Sequence, residues 1–202
     1  QTVIAESVDT AHFSTWDQWG NVVSTTTTLN FSFGSGIAVS GAGFLLNNEM
    51  DDFSAKPGSP NGYGLIGGVA NEIQPGKRPL SAMTPTIVFD EKGAPILATG
   101  SPGGSTIITA VLQVLLNILE FNMGIADATA ASRIHHQWLP DRMGYEPGIS
   151  PDTLHLLTQM GHSLEQEARI LGSTQTIHKG VNAATMGASD TRRDGAGAIP
   201  QK

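Results

Sequence analysis

The stretch DTAHFSTWDQWGNVVSTTTTLN, residues 9–30, decides how this chain is read. Ala11–Asp17 alternates in character, Trp19-Gly20-Asn21 is a turn signal, and Asn21–Leu29 is dense in β-branched residues. That pattern predicts an antiparallel hairpin. Immediately after an Asp, at the mouth of the first strand, stands Thr10, two residues before His12. A hydroxyl there means nothing alone. It gains a meaning if the Asp9–Thr10 bond is cut, because a Thr that begins a chain carries a free α-amine that can act as base for its own hydroxyl. Such an amine titrates near ~7.7–8.0, so a useful fraction is neutral at working pH. The chain can make the cut itself: Thr10 Oγ attacks the Asp9 carbonyl, an ester replaces the amide, and water hydrolyses the ester.

Other nucleophile arrangements are weaker. There is no GxSxG elbow and no SxxK. No HExxH occurs, and His135 and His136 are adjacent, so they point apart on a regular element. Each His reads as a surface or satisfied core residue. With no Cys, thiol nucleophiles, disulfides and thiolate metal sites are excluded.

The 202 residues, 39% apolar, suffice for one domain with a core of its own. Only 14% are charged and 24 are Gly, which suits a loop-rich, packed chain rather than a disordered or coiled-coil one. A net charge of −7 argues against a non-specific nucleic-acid or membrane-surface binder. No apolar run reaches the ~18–20 residues of a membrane span. The chain starts at Gln1, without an initiator Met, and is expected to be a piece of a longer precursor.

Beyond the first hairpin, Gly43–Leu46 reads as a short strand, and residues 51–82, rich in Gly, Pro, Asn and Ser, as a long functional loop. Thr86–Phe89 and Pro95–Thr99 flank the turn DEKGA as a second hairpin. In TIITAVLQVLLNILEF, Ile107, Ile108, Val111, Leu112, Leu115 and Leu119 predict an amphipathic helix with a wide apolar face and Ser105 as N-cap. A shorter helix covers roughly Ile125–Ser132. A third has Ser150 as cap, Pro151 in its first turn, LHLL as its buried stripe and Gly161 as stop. Strand-like pieces follow Gly172, then GASDTRRDGAGA. Strands, then helices, then strands make an α+β arrangement.

Two segments could serve chemistry beside Thr10. SPGGS, residues 101–105, brings two uncrowded glycine N–H groups to a helix start, as an oxyanion hole requires, although a plain strand–helix turn fits equally. No Lys follows the glycines, so a P-loop is unsupported. NNEMDDF, residues 47–53, sets three acids within four positions, which suits a cation, an amine, a metal, or simply a solvated turn.

Thr10-Ala-His-Phe-Ser, TLN (28–30), LLNNEMDDFSAKPG (45–58), PGKRPLSAMTPTIV (75–88) and TGSPGGSTIIT (99–109) occur in one order, extended by HHQWLPD (135–141) and GSTQTI (172–177). Together they resemble the γ-glutamyltranspeptidase family, over nearly the whole chain from Thr10 onward. The resemblance implies the small catalytic subunit, residues 10–202, of an N-terminal nucleophile hydrolase, with residues 1–9 preceding the processing site. Its implied fold is a four-layer αββα sandwich, completed by a large subunit from the same precursor. It implies transfer of a γ-glutamyl group from glutathione or another γ-glutamyl amide, through a threonine ester, to water or an amine. Carried over by position, Thr10 is the nucleophile and Thr28 supports it. Gly103 and Gly104 form the oxyanion hole. Asn30, Glu49 and Asp52 hold the substrate α-amino group, by charge-assisted hydrogen bonds where the acceptor is a carboxylate. Ser81 lies in the loop that holds the α-carboxylate, and Tyr63 is the aromatic gate of a lid over Pro57–Gly68. No metal, organic cofactor, nucleic acid or membrane is implied, and the family habit is export to the periplasm or medium.

Three departures bear on this. Ala82 stands where many members have a second serine, so one carboxylate donor is missing. Ala11 replaces a common threonine. Nine residues precede Thr10 in the chain as given. Ala82 keeps open a β-lactam side-chain acylase on the same scaffold, and the leading residues keep open an unprocessed binding homologue.

Overall fold

The computed structural model describes residues 10–180 and 184–193. The segment expected to precede the processing site, residues 1–9, lies outside them, as does the end of the tail. The first hairpin forms as predicted: β1 (Ala11–Trp16) pairs antiparallel with β2 (Val22–Thr27), with His12 opposite Thr26 and Ser14 opposite Ser24. The side-chain period of two sends His12, Ser14, Ser24 and Thr26 to one face. That face is tied to a second sheet: Ser14 Oγ donates to Gln175 O at 3.1 Å, and Ser24 Oγ to Thr99 O at 2.9 Å. The other face leaves Phe13 50% and Val23 48% exposed among the described residues.

The second sheet is antiparallel, in the order β3 (Thr86–Phe89), β4 (Pro95–Thr99), β7 (Gln175–Lys179), β8 (Thr185–Ser189). Between β4 and β7 the chain makes α1 (Ile107–Leu119), α2 (Ile125–Ala130), the two-residue pair β5 (Ile134–His135) and β6 (Gly144–Tyr145), and α3 (Pro151–Gln159). Leu97 from β4 packs with Val114, Ile118, Ile125 and Ala128 from α1 and α2, so helices cover the sheet on one side and the hairpin lies against it as another layer. Each buried Val, Leu or Ile of this cluster contributes roughly 1.5–3 kcal/mol relative to exposure.

Four expectations are corrected. Gly43–Leu46 is not a strand; Leu45 makes one isolated bridge to Ala38. Ser105 does not cap α1. It lies in a 3₁₀ turn, Gly104–Thr106, and Thr106 occupies the cap position without a side-chain cap bond, its hydroxyl donating instead to Gly103 O at 2.8 Å. Only part of the α1 stripe is buried. Ile107 and Val111 are, joined by Ala110, Val114 and Ile118, whereas Ile108, Leu112 and Leu119 are exposed. The helix is apolar on nearly two faces, and one sheet can bury only one of them. The LHLL stripe of α3 is likewise not buried; no residue of that helix is, and Leu156 is 58% exposed. Its cap is as expected, with Ser150 Oγ accepting from Thr153 N at 3.2 Å.

Candidate active site

Thr10 is buried at the mouth of the hairpin. Its hydroxyl donates to Thr28 Oγ1 at 2.9 Å, continuing the β1–β2 pairing one residue beyond the strands. Thr28 Oγ1 also accepts from Asn30 N at 2.9 Å, so its lone pairs are used and its own proton is left to donate. Asn30 adopts a left-handed backbone, φ 74°, which Asn tolerates better than most residues. Its side-chain amide donates to Asn48 O at 3.2 Å, which joins this corner to the acidic turn Glu49–Asp52.

The three acids of that turn divide. Asp51 Oδ2 accepts from Gly62 N at 2.9 Å and so holds the loop that carries Tyr63. Glu49 and Asp52 instead line a cavity beside Thr10. Burial, then the neighbouring Asp52, pushes the Glu49 carboxyl up to about 7. Burial also pushes Asp52 up. Two half-buried acids in contact cannot both ionise cheaply. An incoming ammonium would restore the charged state of both.

The loop of residues 57–68 is held by short polar contacts rather than a strand ladder. Asn61 Oδ1 accepts from Tyr63 N at 3.0 Å and Leu65 N at 2.9 Å. Tyr63 reaches across the cavity: its hydroxyl donates to Asn30 O at 2.7 Å, and its ring meets Phe31 edge-on at 5.5 Å. It also lies on Gly104. That glycine has φ 54°, a backbone that favours Gly, and a Cβ there would crowd Tyr63 Cε1 at 3.0 Å.

One cavity is thus lined by Thr10, Thr28, Asn30, Glu49, Asp52, Tyr63, Ser81, Ala82 and Gly104. Of the residues singled out from sequence, only Gly103 is not in its wall; it lies one residue away, its carbonyl accepting from Thr106 N at 3.0 Å. Ser81 Oγ accepts from Met83 N at 3.1 Å. Thr84 Oγ1 donates to Ala82 O at 2.9 Å, which shapes the turn without replacing the hydroxyl that a second serine would bring.

Two further features lie near this site: a histidine that the sequence allowed as a satisfied core residue, and a feature that sequence reasoning missed. His12 lies behind Thr10, its Nδ1 2.8 Å from Thr26 Oγ1 and its Nε2 3.1 Å from Ser14 Oγ, and any side chain at Gly100 would collide with its ring. Burial pushes its imidazole down to about 4, so it is neutral at working pH and braces the two sheets. The second is a buried ion network. Arg133 meets Asp190 at 2.7 Å, and Arg192 meets Glu146 at 2.6 Å and Asp190 at 3.0 Å. Burial alone would raise the Asp190 carboxyl, but Arg133 and the Thr174 N–H hold it below the ordinary carboxylate range. The only sequence signal was the charge cluster SDTRRD.

The sequence pattern of the family described as Gamma-glutamyltranspeptidase matches residues 2–199. The chain is 54% identical to the glutathione hydrolase proenzyme of Escherichia coli K12, over 93% of this chain and 32% of that protein. It is 47% identical to the glutathione hydrolase proenzyme of Pseudomonas aeruginosa, over 96% of this chain and 35% of that one. It therefore spans about a third of the length of these curated relatives. The solved γ-glutamyltranspeptidase from Pseudomonas nitroreducens, complexed with L-DON, superposes with a TM-score of 0.86 at 46% identity, covering 94% of this chain and 99% of that one. The expected N-terminal nucleophile hydrolase sandwich is accordingly the fold, and the chain belongs to the γ-glutamyltranspeptidase family.

Proposed function

We propose that this chain is the catalytic small subunit of a γ-glutamyltransferase and glutathione hydrolase, matured by cleavage between Asp9 and Thr10. The observation that carries this reading is the cavity in which Thr10, supported by Thr28, faces Asn30, Glu49 and Asp52 on one side and Gly104 on another. The names of the relatives support the same donor class.

In the mature enzyme the Thr10 hydroxyl attacks the γ-glutamyl carbonyl carbon, and its proton passes to the Thr10 α-amine. The Gly103 and Gly104 N–H groups receive the developing oxyanion. Collapse breaks the amide bond, and the amine's extra proton goes to the leaving nitrogen. A water or an acceptor amine then attacks the ester and releases Thr10, so the kinetics are ping-pong. Asn30, Glu49 and Asp52 bind the donor's α-ammonium, Ser81 its α-carboxylate, and Tyr63 closes the lid. No metal or organic cofactor enters these steps. A large subunit from the same precursor completes the molecule, and the exposed Ile108, Leu112, Leu116 and Leu119 of α1 offer it an apolar face. Export to the periplasm or medium follows the family habit; no helix among the described residues is long and apolar enough to cross a membrane.

Intact mass and N-terminal sequencing, with turnover of a γ-glutamyl anilide, test the proposal. A chain beginning at Thr10 and releasing the anilide supports it; an intact Asp9–Thr10 bond and no turnover refutes it and favours a binding homologue. Asp52→Ala separates the donor classes. A lost contact to a charged group is worth ~1.5–3 kcal/mol, so KM for γ-glutamyl donors should rise about tenfold or more. KM for glutaryl amides, which lack the α-amine, should stay put. Ala82 gives the acylase reading its one support, and a preference for a glutaryl β-lactam over the γ-glutamyl anilide would establish it.

A further inference from the structure

Thr10 is gripped at two points. Its hydroxyl reaches Thr28, and its carbonyl oxygen accepts a hydrogen bond from Arg193 Nη1 at 2.9 Å, across 183 residues of chain. Arg193 comes from outside the cavity wall. The residues just before it are anchored: Asp190 accepts from Thr174 N at 2.9 Å and pairs with Arg133, while Arg192 pairs with Glu146 and donates to Thr129 O at 2.9 Å and Ala131 O at 2.8 Å. Arg193 thus approaches the nucleophile from a fixed base.

We propose that Arg193 is a positioning residue for Thr10, its guanidinium fixing the nucleophile's main chain and its charge reducing the protonated fraction of the neighbouring α-amine at neutral pH. This rests on the N-terminal nucleophile reading above. Amine nitrogen and carbonyl oxygen are three bonds apart in one residue, so they are separated by at most about 4 Å. Arg stays charged throughout the working range. A cation close to an amine disfavours its ammonium form. At this range, in a partly screened setting, the shift is about half to one pH unit.

Among the described residues, the other groups around Thr10 do not supply this effect. Glu49 and Asp52, on the cavity wall, act in the opposite sense when ionised, and Arg193 offsets them. Tyr63 faces the site as a phenol that donates to Asn30 O. His12, on β1 itself, is neutral. β2 and β4 carry no titratable side chain. β7 carries His178 and Lys179, on the half of the strand away from Gln175, the residue that Ser14 touches.

The test uses the processed full-length enzyme, with Arg193→Met and Arg193→Lys. Two profiles are recorded: kcat/KM for a γ-glutamyl anilide against pH, and the rate of Thr10 amine acylation by an anhydride against pH. Arg193→Met should move the acid limb of both upward by about half to one unit and lower kcat at neutral pH severalfold, with KM little changed. Arg193→Lys should hold the acid limb near the wild-type position while losing part of kcat. An unmoved acid limb in Arg193→Met, or the same upward shift in Arg193→Lys as in Arg193→Met, overturns the proposal. Should Arg193→Met fail to mature, the Arg193→Lys variant decides by the same criterion. The amine profile needs no substrate, so a wild-type protein without anilide turnover would sink the donor assignment and leave this test readable.

Discussion

Replacing Glu49 by Gln should stabilise the protein at alkaline pH while weakening its binding of donors. Glu49 Oε1 is buried with no hydrogen-bond partner among the described residues, and burial together with Asp52 raises the carboxyl from 4.5 to about 7. A carboxyl raised in the folded state gives its full stability below its unfolded value and loses it as pH rises through its folded one. The loss therefore falls between about pH 4.5 and 7, and above that the ionised side chain is a fixed burden. The interval corresponds to about 3 kcal/mol at 1.36 kcal/mol per unit, and because the group is only half-buried solvent screening reduces it to roughly 1–2 kcal/mol. Gln keeps the shape without the charge. Calorimetric melts of substrate-free enzyme at pH 5 and pH 8.5 should show no advantage for the variant at the lower pH. At the higher pH its midpoint should rise by roughly 2–6 °C. An advantage that does not grow with pH, or a variant less stable at pH 8.5, would refute the claim that ionised Glu49 is held there against its preference. On the proposed role of Glu49 in holding an ammonium, the same variant should show a raised KM for γ-glutamyl donors.

Thr28→Val removes the acceptor of both Thr10 Oγ and Asn30 N, so kcat should fall about tenfold or more with KM nearly unchanged, and a wild-type kcat would remove Thr28 from the mechanism. Arg133→Met leaves Asp190 buried with only Arg192 as cationic partner and should cost about 3–5 kcal/mol, read as a melting midpoint lowered well beyond 2 °C; a change smaller than that would mean Arg192 suffices. Ala82→Ser restores a carboxylate donor and should lower KM for γ-glutamyl donors severalfold; no change would mean that another group already serves there.

What was legible in the sequence was what is local. The hairpins, the Ser150 cap and the existence of α1 and α2 follow from neighbours a few residues apart, and the structure has them within one or two residues of the expected bounds. That Thr10 and Asp52 line one cavity was implied by blocks that match a family; spacing alone does not join them. What failed was long-range. Residues Gly43–Leu46 have strand character, but among the described residues they meet only the nearby segment 35–39, through turn-like bonds and one isolated bridge from Leu45 to Ala38. α1 and α3 are apolar on faces that nothing among the described residues covers, so periodicity overstated their burial. The strands β5 and β6, two residues each, are too short for any pattern to show. Spacing alone left the acids of residues 49–52 alike; the family resemblance singled out Glu49 and Asp52, and these two line the cavity while Asp51 holds the loop that carries Tyr63. The Arg133–Asp190 pair joins residues 57 apart, and nothing near either one announces the other.

The grip of Arg193 on Thr10 also bears on how the protein is made. Synthesis runs from residue 10 toward residue 193, and domains fold largely in the order in which they emerge. The hairpin that holds Thr10 against Thr28 can form early, from contacts 18 residues apart. The contact from Arg193 closes over 183 residues and becomes available only when nearly all of this chain has left the ribosome. A product truncated before Asp190 would lack the anchor and the Arg193 contact to Thr10 together. On the proposed reading of Thr10, the contact thus acts as a completeness check, made only in a molecule translated as far as Arg193.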